Sequence, residues 1–273
     1  MIPEDIQFIT NKLKELGVWD KLQGKRILMT GGTGFIGRWF DIPGLDIVRM
    51  GKEEFSKMCN HARKRKRFDY IIHGAPVGIL ASYELGADVD PKGKILFISS
   101  GAVYDDPETE IAKEKKDDEH VLSCFADRDG IDYVIARVFS VAGYNPRPGR
   151  FALDTFIRQG MWGYDLMVTH PESIRSYVYG ADLAVWLLYL LVNETGVHDV
   201  CGHHMISVED LAKRIASMIG VNVGTVTGFP TIPPDPRPVY MSKNKGKFFM
   251  KDRKISRVLK RSIKEYRLHE ETT

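Results

Sequence analysis

Thr30-Gly31-Gly32-Thr33-Gly34-Phe35-Ile36-Gly37 places glycines at a spacing suited to holding a pyrophosphate. Gly31 permits a tight turn out of a strand, Gly34 lets a phosphate approach the backbone, and Gly37 allows the next element to pack closely on the sheet. The anion would rest on amide groups at a helix N-terminus, where donors are unpaired and the dipole favours negative charge. A glycine-rich turn without a ligand would carry the same letters. The dinucleotide reading is favoured by the buried strand expected directly before it, Lys25-Arg26-Ile27-Leu28-Met29-Thr30, and by the alternation that follows.

Two other constellations could do chemistry. Cys201-Gly202-His203-His204 has metal-ligating residue types, but no second ligand group stands at a workable spacing, so we read no metal site. The run Ala62-Arg63-Lys64-Arg65-Lys66-Arg67 and the stretch Ser242–Arg267, with eleven Lys or Arg against Asp252 and Glu265, carry the charge of a nucleic-acid patch. The first stands just ahead of an expected buried strand and reads as a solvated face. For the second, pairing with the acidic stretch Asp105–Glu119 is the simplest account. A nucleic-acid partner is therefore not expected.

The elements that must position these residues follow from periodicity. Ile6, Ile9, Leu13 and Leu16 predict a short amphipathic helix ahead of the first strand. Further strands are expected at Leu45–Met50, Phe68–His73, Lys94–Ser99 and Asp132–Phe139, with helical stretches at 52–66 and 114–126 between them. This alternation predicts an α/β fold, a doubly wound, Rossmann-like parallel sheet covered on both faces, with a smaller C-terminal substrate lobe. Later helices are expected at 151–160, 181–191 and 208–219, and loops at 145–149 and 230–238. We read residues 1–24 as an N-terminal helix, 25–140 as the dinucleotide-binding core, 141–245 as the substrate lobe interleaved with the core helix 181–191, and 246–273 as a basic tail.

Composition sets the outer bounds. The 273 residues are 43% hydrophobic and 27% charged, the range of globular domains and not of disordered chains. No run approaches the ~20 apolar residues of a membrane span. Three cysteines, Cys59, Cys124 and Cys201, form neither a disulfide framework nor a CxxC pair, which points to a reducing, cytoplasmic compartment. The 39 Lys and Arg against 36 Asp and Glu leave a net charge of +3, too small alone to imply a polyanionic partner.

Beyond the glycine motif, five blocks follow in an order that resembles the extended short-chain dehydrogenases/reductases, specifically nucleotide-sugar epimerases and dehydratases. They are Tyr70–Ala75, Ile98–Tyr104, Ala136–Gly143, Arg175–Asp182, and Gly196–Gly202 with Ile206–Leu211. The resemblance runs from about residue 20 to 220. It implies NAD or NADP as cofactor, held by Gly31, Gly34, Phe35, Ile36, Gly37, Ala75, Ser99 and Lys115. It implies a nucleotide-sugar substrate met by Ser140 and Arg175, the arginine suited to diphosphate oxygens. It further implies a homodimer built through helices flanking the active site.

In that family a Ser/Thr polarises the sugar hydroxyl, and a tyrosine four residues before a lysine takes the proton while hydride passes to the nicotinamide. Ser100 matches the first and Lys115 the lysine, but the tyrosine position is Ile111, which carries no proton. Tyr104, four residues after Ser100, could substitute, or could be structural. Gly101 and Ala102 stand where dehydratases of the family carry an Asp-Glu pair, which disfavours 4,6-dehydration. The second strand ends in Arg49, Met50, Gly51 and Lys52 in place of the acid that holds an adenosine ribose, so NAD and NADP stay open. Two functions remain: an NAD(P)-dependent epimerase/dehydratase-like enzyme lacking the usual tyrosine, or a catalytically impaired binder of dinucleotide or nucleotide sugar serving as sensor or assembly partner.

Overall fold

The computed structural model describes residues 1–51, 53–54, 68–75, 89–104, 109–145, 151–225, 239–242 and 254–270. The basic run 62–67, Cys59, the Pro-rich 230–238 and most of the segment expected as a helix at 52–66 lie outside them.

Pro3 opens α1 (Pro3–Glu15), where its missing N–H is no loss, and Glu4 and Asp5 at one end with Lys12 and Lys14 at the other suit the helix dipole. Ile9 and Leu13, one turn apart, are fully buried. A helical turn α2 (Trp19–Leu22) leads into β1 (Arg26–Thr30). Next come a 3-10 turn (Gly37–Phe40), β2 (Asp46–Met50), β3 (Phe68–His73), β4 (Val89–Ser100), a second 3-10 turn (Gly101–Tyr104), α3 (Glu110–Asp129) and β5 (Asp132–Val138). The chain continues as β6 (Ser140–Ala142), α4 (Ala152–Met161), β7 (Leu166–Val168), β8 (Ile174–Tyr179), α5 (Gly180–Asn193) and β9 (Gly196–Val200). It then forms β10 (Met205–Ser207), α6 (Val208–Ile219), β11 (Val223–Thr225), β12 (Val239–Tyr240) and α7 (Ile255–Glu270).

Two units share these elements: residues 1–138 with 181–200, and 139–180 with 201–273. In the first, six strands pair in the order β2-β1-β3-β4-β5-β9, all parallel. The central strands are continuous apolar runs, as burial on both faces requires. Leu28, Ile71, Ile95, Phe97 and Ile135 meet Leu122, Phe125 and Ala126 of α3. Helix α5 is buried almost throughout, with Leu183, Ala184, Val185, Leu187, Leu188 and Leu191 fully enclosed.

The second unit is built on β8, which pairs with β10 antiparallel and with β6 and β12 parallel; β7 and β11 form a separate pair. The Ser207 hydroxyl caps α6 by accepting from the Asp210 N–H at 3.0 Å. Within the stretch read as a basic tail, α7 buries Val258, Leu259, Ile263 and Tyr266. Tyr266 donates its hydroxyl to Asp154 of α4, the Asn145 N–H donates to Tyr266 Oη at 3.1 Å, and the Tyr144 N–H donates to the buried Glu265 carboxylate at 2.9 Å. Arg158 binds Asp154 at 3.0 Å and the Asn145 carbonyl at 2.6 Å, completing a buried polar network.

One expectation is corrected. No α-helix follows the glycine motif: residues 31–45 hold only the 3-10 turn, whose Trp39 and Phe40 are buried. Pro43 and Gly44 end any helix there, and the chain must already turn back into β2.

Candidate active site

The glycine turn leaves β1 with Gly31 at φ +70°, and a Cβ there would lie 2.8 Å from the Gly74 carbonyl after β3. A Cβ at Gly37 would lie 2.4 Å from Gly31 O and Gly32 Cα, so this glycine closes the turn on itself. The Gly32 N–H donates to Met50 O at 2.9 Å and the Gly34 N–H to Gly31 O at 2.9 Å, tying the turn to β2 and to its own start. Among the described residues a Cβ at Gly34 would meet only Gly31 O, at 3.1 Å, so the turn is more open here than at Gly31 or Gly37. That opening fits the close approach of a pyrophosphate, by backbone access and without the helix terminus expected beneath it. Phe35 and Ile36 are half-buried beside it, and Ala75 is buried with its N–H 3.4 Å from the Thr30 hydroxyl. At the end of β2, Arg49 pairs with Asp41 at 3.0 Å.

Residues aligned in register share a sheet face, and two rows meet α3. Thr30, His73 and Phe97 form the first, across β1, β3 and β4. His73 Nδ1 lies 2.8 Å from Thr30 Oγ1, and its ring stacks on Phe97 at 5.7 Å. Lys115 of α3 sets its Nζ 4.8 Å from the centre of the Phe97 ring. Lys113 and Lys116, which flank it, are exposed. Burial lowers the Lys115 ammonium below the ordinary lysine range, offset in part by Asp118, Glu114 and Glu119. Burial, with the Lys115 charge second, lowers His73 to about 3, so its imidazole is neutral.

Ser99, Arg137 and Asp199 form the second row, across β4, β5 and β9. Ser99 donates to Glu119 of α3, and Arg137 grips the same carboxylate through Nε at 3.0 Å and Nη2 at 2.6 Å. The Glu119 hydrogen bond raises the already high Arg137 pKa. Ser100 ends β4, its Oγ accepting from the Ala102 N–H at 3.2 Å. Gly101 and Ala102 are buried in the following turn, which delivers Tyr104 to the surface at 45% exposure. The Tyr104 hydroxyl donates to Asp199 Oδ1 at 2.8 Å, and the Arg137 guanidinium lies over its ring at 4.6 Å. Burial raises the Tyr104 pKa; the Arg137 contact lowers it and the Asp199 hydrogen bond raises it. Ile111, in the first turn of α3 and one turn before Lys115, is 64% exposed.

Among the expected site residues, Gly31, Gly34, Phe35, Ile36, Gly37, Ala75, Ser99, Ser100, Tyr104 and Lys115 belong to the first unit. Ser140 and Arg175 belong to the second, and are close there: Ser140 is in register with Tyr177, two residues beyond Arg175 on β8. Arg175 is half-buried and donates to the Ile174 carbonyl at 2.8 Å. Among the described residues no group of three or more His, Cys, Asp or Glu could hold a metal, and Cys201 is buried.

Sequence reasoning did not single out His73, Arg137 or Asp199 as site residues. Arg137 had a signal, a charge inside the apolar run Val134–Val138 that demands a buried partner. Asp199 had none, since the strand around it is too short to display alternation.

No protein-family model matches the chain, and no curated protein matches it. Solved structures do. The chain is similar to a UDP-N-acetylglucosamine 4-epimerase from Methanobrevibacter ruminantium, solved with UDP-N-acetylmuramic acid, at 18% identity and a TM-score of 0.72 over 90% of this chain and 99% of that one. It is similar to the Thermus thermophilus UDP-glucose 4-epimerase in complex with NAD, at 18% identity and 0.70 over 89% and 99%. It is also similar to the dTDP-glucose 4,6-dehydratase of Bacillus anthracis in complex with NAD, at 14% identity and 0.73 over 91% and 98%. The chain has the fold of these proteins, as the resemblance of its ordered blocks implied.

Proposed function

We propose that the protein is an NAD(P)-dependent enzyme acting on a nucleoside-diphosphate sugar, oxidising and re-reducing a ring hydroxyl in the manner of an epimerase. The observation that carries this reading is Lys115. Of the three neighbouring lysines it alone turns onto the sheet, against Phe97 of the strand that ends in Ser100, with its charge partly desolvated. A bound nicotinamide dinucleotide supplies the hydride acceptor and donor. Gly31, Gly34, Phe35, Ile36, Gly37 and Ala75 would hold its pyrophosphate end, and Ser99 and Lys115 its nicotinamide end. Ser100 would hydrogen-bond the reacting hydroxyl, while Arg175 and Ser140 would bind the nucleotide sugar.

The absence of carboxylates at Gly101 and Ala102 supports reversible oxidation over loss of water. Neighbours of the same fold solved with NAD, and with a UDP-linked sugar, support the cofactor and substrate classes. A second reading, a binder without turnover, is favoured by Ile111, which puts an aliphatic group where the phenol of this chemistry would stand.

The test is direct. Protein purified without additives is denatured and its released small molecules are weighed by mass spectrometry; calorimetry then measures NAD, NADP and a panel of UDP- and dTDP-hexoses. Bound dinucleotide with conversion of one sugar supports the enzyme. Binding without conversion supports the second reading, and no binding of either class overturns both.

A further inference from the structure

We propose that Tyr104 and Asp199 form a proton relay that performs the acid–base work for which Ile111 has no group; this rests on the enzymatic reading above. Tyr104 stands at the C-terminal end of β4, the edge of an open α/β sheet where ligands bind. Although half exposed, its side chain is held by two separate strands: Asp199 of β9 accepts a hydrogen bond from its hydroxyl at 2.8 Å, and Arg137 of β5 lies over its ring. Asp199 and Arg137 are adjacent in register, so the sheet itself sets the spacing of the pair.

The chemistry differs from that of a tyrosinate. Arg137 is the cation facing Tyr104, and its charge is engaged by Glu119 from α3 through two hydrogen bonds. Burial and the Asp199 carboxylate both disfavour the phenolate. A neutral phenol can still pass a proton. As the sugar O–H bond breaks, its proton joins Tyr104 Oη, while the Tyr104 O–H bond breaks and that proton joins Asp199 Oδ1. A bound oxidised nicotinamide would supply the acceptor for the carbinol hydrogen and its electron pair, so that the alcohol would become a carbonyl. The sugar's proton then sits on Tyr104 and the former Tyr104 proton on Asp199, and the reverse step returns both to their start. Tyr104 is then the catalytic residue, and Asp199 acts through it.

Two measurements test this. The first uses the protein alone, labelled with 13Cζ-tyrosine, with the Tyr104 resonance assigned by its loss in Tyr104→Phe. Tyr104 should ionise at a lower pH in Asp199→Asn than in the wild type, because the carboxylate that disfavours the phenolate is gone. An unchanged titration overturns the relay. The second uses protein with dinucleotide and the converted sugar. Tyr104→Phe and Asp199→Asn should each lower kcat by ~100-fold or more with little change in KM or thermal midpoint. Wild-type kcat in either variant overturns the relay. A protein that binds dinucleotide and sugar, shows the Tyr104 coupling and turns over nothing also overturns the relay, leaving the binding reading. Failure to bind either ligand overturns the enzymatic reading itself and the relay with it.

Discussion

His73 faces Thr30 across β1 and β3, with Nδ1 2.8 Å from the threonine hydroxyl at the point where the glycine turn leaves the sheet. The Thr30 oxygen accepts from the Gly74 and Ala75 N–H groups at 3.2 and 3.4 Å, so its own hydrogen is directed at Nδ1 and the histidine carries its proton on Nε2. A buried neutral imidazole thus locks the turn after β1 to the turn after β3.

This lock should weaken in acid. His73 titrates near 6.5 in the unfolded chain and near 3 in the fold, so between those values the unfolded state binds more protons. Its contribution is complete above pH 6.5 and lost as pH falls towards 3. Stability in urea should drop by roughly 1 to 2 kcal/mol more between pH 7 and 5 in the wild type than in His73→Asn. Equal slopes would show that His73 titrates normally.

The glycines of the turn should separate into two kinds. Gly37→Ala drives a Cβ into backbone at 2.4 Å and should destabilise by ~1 to 3 kcal/mol or more. At Gly34 a Cβ has one tight contact, Gly31 O at 3.1 Å, so Gly34→Val should cost less stability than Gly37→Ala while removing dinucleotide binding by steric block. Calorimetry beside thermal melts checks both; Gly34→Val binding with wild-type affinity would remove this turn from the cofactor site.

Arg137→Met should be costly. It leaves Glu119, whose side chain is 8% exposed, without its bidentate partner, and breaking such a buried pair typically costs ~3 to 5 kcal/mol. The double variant Arg137→Met/Glu119→Leu should recover most of that loss, because no charge remains enclosed. Chemical denaturation of the three proteins reads the difference.

Ile111→Tyr should fold normally, since the position is 64% exposed. It sets a phenol one turn before Lys115 on the same helical face. Turnover of the correct sugar should rise by about tenfold or more if proton transfer limits the wild type. No change in single-turnover rate would show that proton transfer is already supplied.

Arg175→Ala should weaken nucleoside-diphosphate-sugar binding by roughly 2 to 4 kcal/mol, the range for losing a charge-assisted partner at a desolvated site. Dinucleotide affinity should stay unchanged, because that ligand is assigned to the other unit. Calorimetry with UDP-hexose and with NAD, side by side, makes the comparison.

The parts legible in the sequence are those where periodicity and burial coincide. The strands at 26–30, 46–50 and 68–73 and the helix at 208–219 follow from apolar runs or an apolar stripe, and appear where these place them. The glycine fingerprint alone implies a helix after Gly37, but the short stretch Arg38–Leu45, with Pro43-Gly44 inside it, already reads as abbreviated, and only a 3-10 turn forms there. Helix α7 was hidden by its charge: Val258, Leu259, Ile263 and Tyr266 make a stripe that its lysines and arginines mask in any averaged reading. In the site, Lys115 was found by counting from Glu119. Asp199 was out of reach because its importance lies in a neighbour across two strands, which no local pattern encodes.

The polar network around Tyr266 and Asp154 also has a consequence for biosynthesis. The second unit begins at Phe139, yet the buried partners of Tyr144, Asn145 and Asp154 lie on a helix more than a hundred residues later. A ribosome would have to deliver residue 266 before those groups meet their partners. The first unit likewise waits for β9, made only after residues 139–180 have emerged. The second unit should therefore remain open to chaperones until residue 266 has emerged, with Asp154 and Arg158 among the last of its groups to leave water.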